Sequence, residues 1–286
     1  MGSFLAVLAA LAFALGTVLQ QRGTLQTTAP EGDPHFLAEI IREPVWLAGG
    51  LLQVLGWVLQ AVALANGSLV VVQSLCALSL VFALPLGARL TDQQVGRRSI
   101  VGAVLALFGI VAFVVVGQPE GGIGEPGATA WWTSAIVTVL AMALLASVAR
   151  RRRGAIAAAL LAAAAGFSFA YQAAVTKVFV TELGGGLVSV LTMWTTYALV
   201  VSALAGFALQ QSALKTGFLA PAMAASNATT LVISVVLGIT VFEESLSSGG
   251  GRLAPALVGL VLAVVGVVLL ATPEASQTTD ATAGGG

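Results

Sequence analysis

Residues 56–69 read Gly56-Trp-Val-Leu-Gln60-Ala-Val-Ala-Leu-Ala-Asn-Gly-Ser-Leu69, and residues 206–219 read Gly206-Phe-Ala-Leu-Gln210-Gln-Ser-Ala-Leu-Lys-Thr-Gly-Phe-Leu219. At this constant offset of 150, seven of fourteen positions are identical: Gly56/Gly206, Leu59/Leu209, Gln60/Gln210, Ala63/Ala213, Leu64/Leu214, Gly67/Gly217 and Leu69/Leu219. Trp57 is matched by a second aromatic, Phe207. In an apolar chain, coincidences of Ala and Leu are cheap, whereas coincidences of Gln and Gly are not. The pair therefore reads as an internal duplication. Each half also ends on two glycines seven apart, Gly102 and Gly109 in the first and Gly259 and Gly266 in the second.

Outward from these segments the chain is almost uniformly apolar. Of 286 residues 58% are apolar and 8% charged, and the mean hydropathy is +1.00. A soluble domain needs roughly 25% charged residues to solvate its surface, so a water-soluble enzyme is excluded and a polytopic membrane protein remains. The net charge is zero and the pI about 6.6, which predicts no nucleic-acid partner. The lone cysteine, Cys76, excludes an internal disulfide and a cysteine-cluster metal site.

A helix needs about 20 apolar residues to cross the hydrocarbon core. Nine stretches qualify: 2–19, 45–65, 68–90, 99–117, 131–149, 155–180, 187–209, 217–242 and 253–271. The first has no basic n-region, since Arg22 follows it, and reads as a permanent helix rather than a signal peptide. Residues 35–42 place Phe36, Leu37, Ile40 and Ile41 on one face and are expected to lie along the membrane surface. The tail 272–286 reads as disordered.

With nine spans, one side of the membrane receives Arg22, Arg42, Arg89, Arg97, Arg98, Arg150, Arg151, Arg152, Arg153 and Lys215, and the other only Lys177 and Arg252. That asymmetry predicts a multi-pass plasma-membrane protein with its N-terminus outside and its C-terminus in the cytoplasm. The duplication matches spans one to four with spans six to nine, five spans apart, so the halves are expected to be inverted. The expected fold is all-α: a first repeat over residues 1–117, a connector with span five and the arginine loop over 118–153, a second inverted repeat over 154–271, and the tail. Inverted repeats characterise secondary transporters, which rock about a site near the bilayer midplane.

Ala61-Val-Ala-Leu-Ala65 with Leu69-Val-Val-Val-Gln-Ser-Leu-Cys-Ala-Leu-Ser79, and the later run through Pro221, Asn227 and Gly238-Ile-Thr-Val-Phe-Glu243-Glu244, resemble the two halves of the drug/metabolite transporter superfamily (EamA-like). Within it, the nine spans and Gly16-Thr-Val-Leu-Gln-Gln-Arg-Gly23 are most similar to the NIPA branch, implicated in magnesium transport. The NIPA pattern carries an acidic residue after the glycine of span two, where this chain has Trp57. The resemblance implies a carrier working by alternating access on a small polar or amphipathic metabolite. The alternatives it leaves are a NIPA-like divalent-cation carrier and a flippase for a lipid-linked substrate.

No enzyme activity is expected. His35 sits in a loop beside Asp33 and Glu39. Glu243 and Glu244, at the outer end of span eight, would point about 100° apart on a helix and share no proton. They read as an interfacial pair near Arg252 or as a cation vestibule. Ser168, Tyr171, Gln172 and Thr176 stand at i, i+3, i+4 and i+8 of span six and are expected to line the translocation path. Lys177, a turn from the outer end, reads either as a snorkelling anchor or as a substrate- or proton-coupled amine. Gln53, Gln60, Gln73 and Asn227 are amides at membrane depth. Each either bonds a neighbouring helix, for about 0.6–2 kcal/mol, or faces a cavity. Trp194 and Tyr197 are candidates for an aromatic wall, and the spaced glycines for close helix contact. No metal site and no cofactor are expected beyond a coupling proton or cation. The expected partners are membrane lipids and a small-molecule or ion substrate; a homodimer is compatible with the sequence but does not follow from it.

Overall fold

In hydrocarbon a backbone must bond to itself, so apolar runs become helices. They do so in this computed structural model, which describes residues 1–26, 42–90, 97–123, 126–183, 186–214, 216, 219–246 and 252–270. The elements are α1 (Gly2–Gln26), α2 (Pro44–Ala65), α3 (Leu69–Cys76), α4 (Ser79–Leu90), α5 (Arg97–Gly117), β1 (Glu120–Gly121), α6 (Ala128–Ala149), α7 (Gly154–Glu182), α8 (Gly186–Thr192), α9 (Trp194–Leu214), α10 (Leu219–Thr240), β2 (Glu244–Ser245) and α11 (Leu253–Leu270). Among the described residues, seven helical segments are long and apolar enough to cross a membrane; Trp194–Gln210 and Leu253–Leu269 are apolar but shorter. The protein is therefore an all-α membrane protein, its two strands only two residues each. The surface segment 35–42, Lys215 and the tail 272–286 fall wholly or mostly outside the described residues, with only Arg42 inside them.

Two expected spans are interrupted. Between α3 and α4, Leu78 N donates to Leu75 O and Leu80 N to Ala77 O, a turn tightened to i→i−3 bonds. Neither proline nor glycine stands at the break. Met193 separates α8 from α9. There, Thr196 Oγ1 donates to Val190 O, and the Tyr197 hydroxyl to Leu191 O at 2.7 Å. These side-chain donors satisfy carbonyls that a continuous helix would bond internally, which hydropathy does not register.

The helices pack through small residues. α1 lies against α2, α3 and α4, while α7 lies against α9 and α10, with α6 and α2 also on it. The alanine-rich α7 is buried on many of its faces. Gly56 of α2 sits on the Phe13 ring of α1, where a Cβ would stand 2.6 Å from ring carbon Cδ1. Its match, Gly206 of α9, sits on the Phe169 ring of α7, where a Cβ would stand 2.7 Å from Cε1. α5 and α11 cross with their backbones almost touching: a Cβ at Gly259 would stand 2.7 Å from Phe113 N, and Cβ atoms at Gly109 and Gly266 would press on Ala263 N and Ala106 N. The spaced glycines thus permit close contact, as their spacing predicts. On this geometry Gly259→Ala lowers stability by about 1–3 kcal/mol through overpacking. Gly50→Ala, with its nearest neighbour at 3.8 Å, is neutral or raises stability by up to about 1 kcal/mol. Thermal unfolding of both variants in detergent micelles measures the contrast.

Candidate functional site

α10 ends with Val241 N and Phe242 N both donating to Leu237 O, at 2.8 and 3.3 Å. Glu243 follows with φ +54, a left-handed turn uncommon for a residue bearing a Cβ. The chain reverses into β2, which pairs antiparallel with β1 in the register Glu120↔Ser245 and Gly121↔Glu244. Ile123 N donates to Phe242 O at 2.7 Å and extends the clasp. This turn leaves Glu243 exposed and drives the neighbouring Glu244 inward, to 2% exposure.

Every donor around the buried carboxylate is accounted for. Lys177 Nζ of α7 lies 2.6 Å from Glu244 Oε1. Leu69 N donates to Oε1 at 2.5 Å and Val70 N to Oε2 at 2.9 Å. Val71 N donates to Ser68 Oγ at 3.0 Å, and Val72 N to Ser68 O at 3.1 Å. The three orphan N–H groups of Leu69, Val70 and Val71 at the start of α3 are thus satisfied, two of them by a charge that also complements the helix dipole, and Val72 N makes the first bond within the helix. Gly238 makes the room: a Cβ there would stand 2.7 Å from Glu244 Oε2. Lys177, its side chain 14% exposed, also lies over the Phe242 ring, 4.5 Å from the centroid. Trp131 of α6 packs edge-on against Phe242 (6.0 Å between centroids), Tyr171 (6.0 Å) and Trp194 (5.1 Å). Five segments distant in sequence therefore meet at one end of the bundle: the α3 start, the α6 start, the α7 end, the α9 start and the α10–β2 turn.

Of the expected lining residues, Lys177, Tyr171 and Trp194 belong to this cluster. The others scatter. Ser168 Oγ donates to Ser202 O of α9 at 2.7 Å, and Thr176 Oγ1 to Gln172 O of its own helix at 2.8 Å. The face from Ser168 to Thr176 is therefore spread over several neighbours, because α7 is enclosed and has no single wet side. Gln53 Nε2 donates to Thr17 Oγ1 of α1 at 2.9 Å, and Asn227 Nδ2 to Met223 O at 2.8 Å. Gln60 and Gln172 are half-buried and Tyr197 is exposed. Gln73 is buried, and its Nε2 has no partner. Arg252 Nη1 donates to Gln118 Oε1 at 3.0 Å, so its recorded partner is neither Glu243 nor Glu244.

Sequence reading missed Glu244 as the partner of Lys177, and with it Phe242 and Trp131. The signal was present: the charge asymmetry put Lys177 and the end of span eight on one side, where a lysine in apolar surroundings needs an anion. Among the described residues no group of three or more His, Cys, Asp or Glu is placed to hold a metal ion.

Over 249 residues the chain is 30% identical to an uncharacterized protein of Corynebacterium glutamicum, a match covering 85% of this chain and 86% of that protein. The chain belongs to the family of that protein. No family model matches the chain, and no solved structure matches it. The two proteins align over nearly their whole lengths, so the relationship extends over the helical bundle and is not confined to one hairpin.

Removing one partner of a buried ion pair leaves an uncompensated charge and costs about 3–5 kcal/mol. Lys177→Met and Glu244→Gln each lower thermal stability on that scale, with Glu244→Gln also loosening the start of α3. The double variant loses less than the sum of the two, a coupling of about 1–3 kcal/mol in a double-mutant cycle. Additive losses would show that the two side chains do not interact.

Proposed function

We propose that the protein is a secondary transporter of the plasma membrane that moves a small polar or amphipathic metabolite by alternating access. In this reading it has nine spans, with the N-terminus outside and the C-terminus cytoplasmic. Residues 1–117 and 154–271 form inverted four-helix halves joined by 118–153, as in the drug/metabolite transporter superfamily that the sequence resembles. The observation that carries the reading is the matched packing of the halves: α1 is flanked by α2 and by α3–α4, and α7 by α9 and α10. The duplicated glycines Gly56 and Gly206 seat equivalent phenylalanine rings, Phe13 and Phe169. α5 and α11, the last helices of each half, pair with each other. The orientation draws support from Arg22, Arg42, Arg89, Arg97, Arg98 and Arg150–Arg153, all exposed, and all on helix ends or turns away from the Lys177–Glu244 cluster. That ion pair then acts as the outer closure, tying α7, α3 and the α10–β2 turn together while the inner side is free to open.

A lipid-linked cargo is a second reading, favoured by a groove of about 230 Å³ lined by Ala228, Thr229, Val232 and Ile233 of α10 and Val264 of α11.

Flux into proteoliposomes, with a panel of labelled metabolites, Mg²⁺ and a fluorescent lipid in parallel, tests the function. The expected result is saturable uptake of a soluble metabolite, reduced at least tenfold by Lys177→Met; saturable Mg²⁺ flux or lipid translocation alone would overturn it. The inversion is tested in a Cys76→Ser background by labelling Asn66→Cys and Thr216→Cys, matched positions within the two copies of the repeat. They label from opposite sides of the membrane, and labelling from the same side would refute the inversion.

A further inference from the structure

One turn below the Glu244 carboxylate, two polar side chains are buried without partners. Gln73 of α3 is 5% exposed, and its Nε2 makes no hydrogen bond; Ser234 of α10 is 0% exposed, and neither does its Oγ. The helices that carry them are packed on each other. Their register is fixed by Val70, whose side chain fills the space over Gly238. From that contact Gln73 lies about 4.5 Å and Ser234 about 6 Å deeper, at 1.5 Å per residue. The two orphan groups therefore stand at the same level of one helix interface. Ser74, beside Gln73, has already spent its hydroxyl on Val70 O at 2.7 Å.

A buried amide or hydroxyl without a partner bears its desolvation cost with nothing to offset it. Elsewhere Gln53 reaches Thr17 and Ser168 reaches Ser202 O, while Gln210, whose Oε1 is also buried without a partner, still donates its Nε2 to Met223 Sδ at 3.6 Å. Gln73 and Ser234 are placed differently. Directly below them α3 breaks at Ala77–Leu78, the kind of interruption that discontinuous helices make at transporter binding sites. Directly above them stands the Lys177–Glu244 pair.

Resting on the transporter reading given above, we propose that Gln73 and Ser234 form a cargo-binding subsite for an uncharged hydrogen-bonding group, a hydroxyl or a carbonyl, with the ion pair as its outer lid. Neither side chain carries charge, and the one buried carboxylate nearby is committed to Lys177 and to two backbone N–H groups. The subsite thus selects neutral polar groups over a bare cation, which needs hard anionic oxygens.

Two arms of the test require no known cargo. Unpartnered groups lose nothing on replacement by apolar ones, so Gln73→Leu and Ser234→Ala raise the unfolding temperature in detergent by about 2 °C or more, whereas Ser168→Ala lowers it. A fall for Gln73→Leu and Ser234→Ala would mean that these side chains are structural, and would overturn the proposal. In a Cys76→Ser background, Ser234→Cys reconstituted in liposomes reacts with the membrane-impermeant reagent 2-sulfonatoethyl methanethiosulfonate. The rate rises at least tenfold when Glu244→Gln removes the lid; an inert thiol in both backgrounds would overturn the proposal. The third arm uses the cargo found by the flux screen, whose uptake Gln73→Leu reduces at least tenfold while Gln53→Leu does not. Failure of that screen counts against the transporter reading, whereas failure of the first two arms counts against the subsite.

Discussion

A carboxylate shut away from water must have its charge answered on the spot, and the bundle is arranged around that demand. Glu244 reaches it by a left-handed turn at Glu243 and a two-residue strand clasp, and meets one ammonium and two backbone N–H groups within 2.9 Å. Each donor belongs to a different part of the fold from the acceptor. Lys177 closes α7, the most enclosed helix, and Leu69 and Val70 open the short α3. A single side chain thereby fixes the relative height of three segments, and Gly238 is kept small so that it can.

Elsewhere cohesion comes from closeness. Lipid tails are as apolar as leucine, so helices in a bilayer gain little by hiding apolar surface and much by van der Waals contact and hydrogen bonds. The alanine faces of α1 and α7 and the glycine crossing of α5 with α11 supply that contact. Side-chain polarity is spent sparingly: Gln53 to Thr17, Ser168 to Ser202 O and Asn227 to Met223 O each satisfy a group locally. Against that economy Gln73 Nε2, Ser234 Oγ and Gln210 Oε1 are buried without partners, and the first two share one helix interface beside the break in α3–α4.

The sequence made the helices legible because hydropathy is a direct readout of what hydrocarbon tolerates. It also made the glycine crossings legible, since a seven-residue spacing keeps small residues on one face. The helix breaks were not legible. Ala77–Leu78 and Met193 carry no proline or glycine, and the hydroxyls that cap the second break come from Thr196 and Tyr197, which read as ordinary span residues. The site was half legible. Lys177 was recognisable as a charge needing a reason, but its partner was misread because Glu243 and Glu244 were placed on a helix. Off the helix, successive residues face opposite ways, and one glutamate went out while the other went in. On α7, periodicity shows which residues share a side, not whether that side meets water or another helix, and Ser168 and Thr176 bond to Ser202 O and Gln172 O.

In the transport reading proposed above, the Lys177–Glu244 pair closes an end of the bundle that opens when the pair parts. The most direct measurement is the distance between spin labels at Thr181 and Glu243, both exposed, in a Cys76→Ser background by pulsed electron resonance in liposomes. With the pair intact a narrow short distance is expected, and a second, longer population grows when Glu244→Gln breaks it. One narrow distribution, unmoved by the substitution, would contradict it.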